Sequence, residues 1–186
     1  MERRFYQWSP ADRQTKDVNE EIFDIVDEND RVIGQAPRSR VHAEGLRHRA
    51  VHVLVINPAG RMFLQKRADT KDNHPGVWDS SCSGHLAAGE DYAAAAVREL
   101  AEEIGIATDP PPREILAIRA SVETGNEFLR VYTCLHAGPV TPDPVEISEG
   151  RWFDPDEIDR WVAARPEEFS PGFRIVWGMV PELRLG

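Results

Sequence analysis

From Asp91 to Ile104 the chain reads DYAAAAVRELAEEI and is followed at once by Gly105. Alanine, leucine and glutamate are strong helix formers, and a glycine directly after such a run is a common stop, so the spacing predicts one helix over 91–104. At about 100° per residue, Ala93, Val97, Leu100 and Ile104 gather into one apolar stripe, while Glu99, Glu102 and Glu103 fall on the far side. A helix with a single apolar stripe must bury it against another layer. The flanking sequence supplies strands for that layer.

Residues 21–36, EIFDIVDENDRVIGQA, alternate apolar and polar side chains around an Asp/Asn-rich turn and predict a β-hairpin. AVHVLVI and RMFLQKR, separated by NPAG, predict a second. REILAIRASV and NEFLRVYTCLH flank the turn ETG, and GRWF reads as a last strand. Asp154, Pro155 and Glu157 supply an N-cap, a first-turn proline and a capping-box acid for a helix through Ala164. Strands, a helix, more strands and another helix make an α+β (mixed) protein rather than a regular βαβ series. With 186 residues, 41% of them hydrophobic, the chain suits a single domain over 21–186 behind a flexible N-terminal arm, the polar and aperiodic residues 1–20.

No apolar run approaches the length of a membrane span and the start lacks a signal-peptide core, so a cytoplasmic protein, monomer or homodimer, is expected. Two cysteines, Cys82 and Cys134, are too few for a disulfide framework and lack the paired spacing of a zinc knuckle. A formal charge of −10 argues against a nucleic-acid polymer or an anionic membrane as partner. Residues 38–71 run the other way, with eight Lys/Arg against only Glu44 and Asp69. A basic segment in an acidic protein suits a small anionic ligand, and Arg49, Lys66, Arg67 and Lys71 are its expected contacts.

The three helix glutamates stand at i, i+3 and i+4, where like charges repel by a few tenths of a kcal/mol per pair, on the order of 0.2–0.5. Between Glu90 and Asp109 there are six acids and one base, Arg98, so nothing nearby in sequence neutralises them. A divalent cation would, and Mg²⁺ typically joins one or two carboxylates to substrate phosphates.

The segment Gly84–Ile106, GHLAAGEDYAAAAVRELAEEIGI, is similar to the signature of Nudix hydrolases: Gly, five residues, Glu, seven residues, then Arg-Glu-aliphatic-any-Glu-Glu-any-Gly-aliphatic. Every position fits. With seven fixed residues at roughly 6% usage each, a chance match in this length is on the order of one in a million or less. The resemblance implies an α/β/α sandwich whose mixed sheet carries a loop–helix–loop, and Mg²⁺- or Mn²⁺-dependent attack of water on a diphosphate joined to another group. It would make Glu99, Glu102 and Glu103 metal ligands, aided by the backbone carbonyl of Gly84. Glu90 and Arg98 would pair to fix the loop and orient Glu99. Glu102, Glu103 and Glu127 would be the catalytic carboxylates, with Glu103 and Glu127 the candidates for general base.

LRHRAVHVLVINPAGRMFLQKRADTKDNHPGVWDSSCSGH also resembles type I isopentenyl diphosphate isomerases and the Nudix hydrolases close to them. Together with EFSPGFRIVW the likeness covers roughly residues 22–178. Such isomerases use a cysteine and a glutamate around a His/Glu metal site. Here the cysteine's position holds Ser83, and Cys82 comes one residue early, which in an extended segment turns the thiol to the opposite face. Gly125 stands where the isomerase carries a further acid. His42, His48 and His85 resemble its metal histidines, although internal hydrogen bonding is the commoner role for such residues. Hydrolysis of a diphosphate compound, such as a nucleoside diphosphate derivative, is therefore the leading reading. An isomerase-like enzyme is the alternative, and a silent ligand-sensing module comes third. Trp78, Trp152, Trp161 and Trp177 are expected in the core.

Overall fold

The structure, a computed structural model, describes residues 20–184, so the N-terminal arm expected over 1–20 lies almost wholly outside the described residues. β1 (Ile22–Val26) and β2 (Val32–Pro37) form the first expected hairpin as a separate two-stranded sheet. Its turn is closed by Asp27, whose carboxylate accepts from the backbone N–H groups of Asn29 (2.8 Å) and Arg31 (3.0 Å).

The main sheet has seven strands and is mixed. β3 (His48–Ile56) runs parallel to β8 (Glu127–Leu135) along one side and antiparallel to β6 (Cys82–His85) along the other. β4 (Met62–Arg67) pairs with β9 (Ile147–Phe153) along its length and with β5 (Trp78–Asp79) at its end. β7 (Arg113–Ile118) closes the far side against β8. The expected second hairpin is thus only nominal, because β3 and β4 meet at Ile56 and Met62 and then diverge. β3 is apolar on both faces, and such a strand belongs inside a sheet with a neighbour on each edge.

Alternation along β3 divides the core in two. Val51, Val53 and Val55 face α2 (Tyr92–Ile104) together with Phe63 and Cys82. Ala50 and Leu54 face the opposite layer, α3 (Pro155–Ala164) and α4 (Pro171–Met179), with Leu64, Leu129, Ile158, Phe173 and Trp177. Helices on both faces make the α/β/α sandwich. Trp78 and Trp177 are buried there, with Trp161 packed beside them and Trp152 against the α2 side.

The apolar stripe of α2 is not quite the expected one. Leu100 and Ile104 are fully buried, each contributing roughly 1.5–3 kcal/mol, but Ala93 and Val97 are exposed. Their place on the inner face is taken by Ala95, Ala96, Glu99 and Glu103, so two of the three glutamates point inward rather than to the far side. The reason lies in the sheet beneath, which offers polar partners at that point. Two helices were not anticipated: α1 (Arg38–Glu44), whose one buried side chain is Val41, and α4, whose N-cap Ser170 accepts from Phe173 N. At α3 the proline start holds, but the Asp154 side chain makes no capping bond and instead faces Arg61 at 3.5 Å.

Candidate active site

α2 begins where Asp91 accepts from Ala94 N (2.9 Å) and ends at Gly105 in the left-handed region, φ +67°. Between these caps Arg98 organises the site. Its Nε and Nη2 donate to the two oxygens of Glu90 (2.8 and 2.9 Å), and Nη2 also reaches the carbonyl of His85 (3.1 Å). Its Nη1 donates to Glu99 Oε1 (2.7 Å) and to Glu102 Oε2 (3.0 Å). Glu90 in turn accepts from Ala87 N (2.9 Å). One guanidinium therefore ties the preceding loop, β6 and two helix carboxylates together through charge-assisted bonds.

Glu99 packs directly on Gly84: a Cβ at that position would collide with the Glu99 carboxylate. Glu103 lies beside it under β6, its Oε2 accepting from Gln65 Nε2 (3.0 Å) and Ser83 N (3.2 Å). Burial pushes the Glu99 carboxyl up to about 7 in spite of Arg98. Burial, reinforced by the Glu99 charge, pushes Glu103 up to about 8. Each carboxylate has one oxygen occupied by donors, while Glu99 Oε2 and Glu103 Oε1 accept no hydrogen bond among the described residues. Two buried acids, Glu99 met by Arg98 and Glu103 by no cation among the described residues, each with an oxygen to spare, form a donor set suited to a hard divalent cation.

On the other face of β3 and β6, the ligand atoms of His42, His48, His85 and Glu127 all lie within 4.8 Å of one another. They come from α1, β3, β6 and β8, far apart in sequence. His85 Nε2 is 3.0 Å from Glu127 Oε1, and His48 Nε2 is 3.4 Å from the same oxygen. His48 Nδ1 lies 2.9 Å from the carbonyl of Leu46, which can only accept, so a proton belongs on Nδ1, and the buried Nε2 faces the Glu127 carboxylate. That juxtaposition is stable only with a proton or a cation between the two atoms. Burial, with His85 and His48 nearby, holds His42 down at about 4 and hence neutral. Burial opposes ionisation of Glu127, yet bonds from His48 and His85 hold it well below the usual carboxylate range. The three histidines are therefore gathered in one cluster, not scattered as separate structural groups.

The basic residues are distributed. Arg49 is bound by Asp30 (2.6 Å) and lies over the Tyr92 ring. Arg67 meets Asp79 (3.4 Å) and the carbonyl of Asn73, Lys71 pairs with Glu146, and Lys66 sits on β4 opposite Trp78 and Glu149. Arg67 and Lys71 thus share the β4–β5 connection, whereas Arg49 belongs to the hairpin side. Cys82 is fully buried among apolar side chains facing α2, on the opposite side of β6 from Ser83 and His85, and burial raises its thiol well above the ordinary value. The one-residue offset does turn the thiol away from the histidines. Gln65 was not anticipated, since a glutamine within a strand carries no pattern of its own.

Residues 46–173 match the family model described as NUDIX domain. The chain belongs to the Nudix hydrolase family. Relatives include members of both groups that the sequence resembles. An isopentenyl-diphosphate Δ-isomerase of Burkholderia multivorans is 37% identical over 157 residues, 83% of this chain and 89% of that protein. An uncharacterised Nudix hydrolase of Yersinia pestis is 38% identical over 155 residues, 81% of this chain and 80% of that one. Among solved structures, a Deinococcus radiodurans protein superimposes with a TM-score of 0.69 at 29% identity, covering 77% of this Nudix chain and 90% of its own. No described helix of the Nudix domain is long and apolar enough to cross a membrane.

Proposed function

We propose that this Nudix protein is a Mg²⁺- or Mn²⁺-dependent hydrolase of small compounds in which a diphosphate is joined to another group, such as nucleoside diphosphate derivatives. The observation that carries this reading is the pair of buried carboxylates on α2, each with one oxygen fixed and one left over. Glu99, Glu102 and Glu103, with the carbonyl of Gly84, would hold the cation. Once bound, it supplies charge neutralisation at phosphate and acidifies water. Of the two candidates for general base, Glu127 is engaged by His48 and His85, whereas Glu103 lies beside Glu99 with its Oε1 free of hydrogen bonds among the described residues. Glu103 Oε1 therefore accepts the proton of the attacking water. Glu90 and Arg98 keep Glu99 in place. Arg67 and Lys71, and more distantly Lys66 and Arg49, meet the phosphate oxygens, exchanging Asp79 and Glu146 for the substrate.

One observation favours a second reading, an isomerase-like enzyme. The cluster of His42, His48, His85 and Glu127 is an N/O donor set suited to a softer ion such as Zn²⁺ or Mn²⁺. The hydrolase reading is preferred because Ser83, not a thiol, shares that face with His85, and because the α2 carboxylates are complete.

The test is a screen for phosphate or monophosphate release from nucleoside diphosphates and triphosphates, nucleotide sugars, coenzymes and isoprenoid diphosphates, with rearrangement of isopentenyl diphosphate followed in parallel. Release that needs Mg²⁺ and stops in excess EDTA is expected. Full activity in EDTA, or rearrangement without release, would contradict the reading.

The raised carboxyls give a further expectation. Unfolded glutamates ionise near 4.5, whereas Glu99 and Glu103 in the metal-free fold hold protons to about 7 and about 8. The native state therefore binds more protons than the unfolded one between those limits, and metal-free stability falls as pH rises through them. A cation that binds the ionised pair reverses the loss. The Tm increment produced by Mg²⁺ should grow from about pH 5.5 to about pH 8.5. An increment that is pH-independent would show that these two acids do not hold the ion.

A further inference from the structure

We propose that Gln65 is a positioning residue of the hydrolytic site, selecting which oxygen of Glu103 works and lodging a water beside it; this rests on the hydrolase reading above. Gln65 lies on β4 and is 1% exposed. Its Nε2 donates to Glu103 Oε2 at 3.0 Å. With Glu103 ionised, as a bound cation requires, both its oxygens can only accept, so the amide end of Gln65 and not its carbonyl end faces them.

Together with Ser83 N, this bond assigns Oε2 to the sheet and leaves Oε1 for the chemistry. Without it the Glu103 side chain could rotate and present either oxygen. The other end of the amide is equally specific. Gln65 Oε1 is buried and accepts from no donor among the described residues. A buried acceptor without a partner costs roughly 1–3 kcal/mol, and such atoms are normally satisfied by an ordered water. A strand residue serving only to fill space at this depth would be apolar, as its β4 neighbours Phe63 and Leu64 are. A glutamine that donates to the acid and accepts from a water is what a site that must hold both in register requires.

Two variants separate this from a packing role. Gln65→Met keeps the volume and removes both polar ends; Gln65→Glu keeps an acceptor but places a second carboxylate against Glu103. Mg²⁺ binding is read by titration calorimetry, since Mg²⁺ prefers oxygen donors to the histidine cluster. Turnover and Tm are read beside it. Gln65→Met should stay folded, bind Mg²⁺ about 10-fold more weakly and lose roughly 10-fold in kcat with little change in KM. Gln65→Glu should be worse in turnover than Gln65→Met. If both variants match the wild type in Mg²⁺ affinity and kcat while Glu103→Gln loses them, the proposal is overturned and the hydrolase reading stands. If Glu103→Gln binds Mg²⁺ like the wild type, the reading fails and the proposal falls with it.

Discussion

Glu103→Gln is expected to lower turnover by roughly 10²–10⁴ in a protein that stays folded, whereas Cys82→Ser keeps most of its activity. The amide is isosteric, and its carbonyl oxygen still accepts from Gln65 Nε2 and Ser83 N, so the local structure survives. What it lacks is a proton acceptor and an anionic oxygen. The same change removes a buried carboxyl that ionises reluctantly, at about 8, so the metal-free variant should melt higher than the wild type under alkaline conditions. Loss of turnover together with a gain in metal-free Tm distinguishes a functional acid from a structural one. Cys82, by contrast, is a small side chain in the apolar layer between β6 and α2. A serine there buries a hydroxyl at a cost of about 1–3 kcal/mol, which a thermal melt reads directly. A folded Cys82→Ser protein devoid of activity would show that the thiol takes part, and would favour the isomerase.

Gly84→Ala is expected to cost little stability, about 1 kcal/mol, and yet to reduce turnover on the order of 10². The added methyl group and the Glu99 carboxylate claim one volume. Since β6 is held by its register with β3, the side chain moves, and Glu99 leaves the position in which Arg98 Nη1 holds it. Mg²⁺ affinity measured by calorimetry should fall in parallel. Wild-type affinity and kcat in Gly84→Ala would mean that Glu99 does not need that position, and would remove it from the ligand set.

The elements with strong local signals were legible before the structure. The helix over 91–104 with its Gly105 stop, the hairpin over 21–36 and the proline start of α3 depend on residues within one or two turns of each other. The pairing of β3 with β8 and β6 was not legible, because it joins strands separated by long stretches of chain and no local residue records the partner. Helix periodicity located the carboxylates but misjudged their direction. Leu100 and Ile104 define a buried stripe whose width the sequence leaves open, and Gln65, Ser83 N and the bare Gly84 decide that it extends over Glu99 and Glu103. The histidine cluster shows the same limit: local pattern does not group His42, His48 and His85, which only the resemblance linked, and it is the meeting of α1, β3, β6 and β8 that places them around Glu127.

The central claim is that water attacks phosphorus, and turnover in ¹⁸O-labelled water tests it most directly. With Mg²⁺ and a diphosphate substrate identified by the screen, mass spectrometry of the products should find one ¹⁸O on a released phosphate or monophosphate, and Glu103→Gln should slow the incorporation as much as it slows turnover, roughly 10²–10⁴-fold. Conversion of isopentenyl diphosphate to its isomer with the diphosphate intact and no label on phosphorus would contradict the account and assign the protein to the isomerase branch.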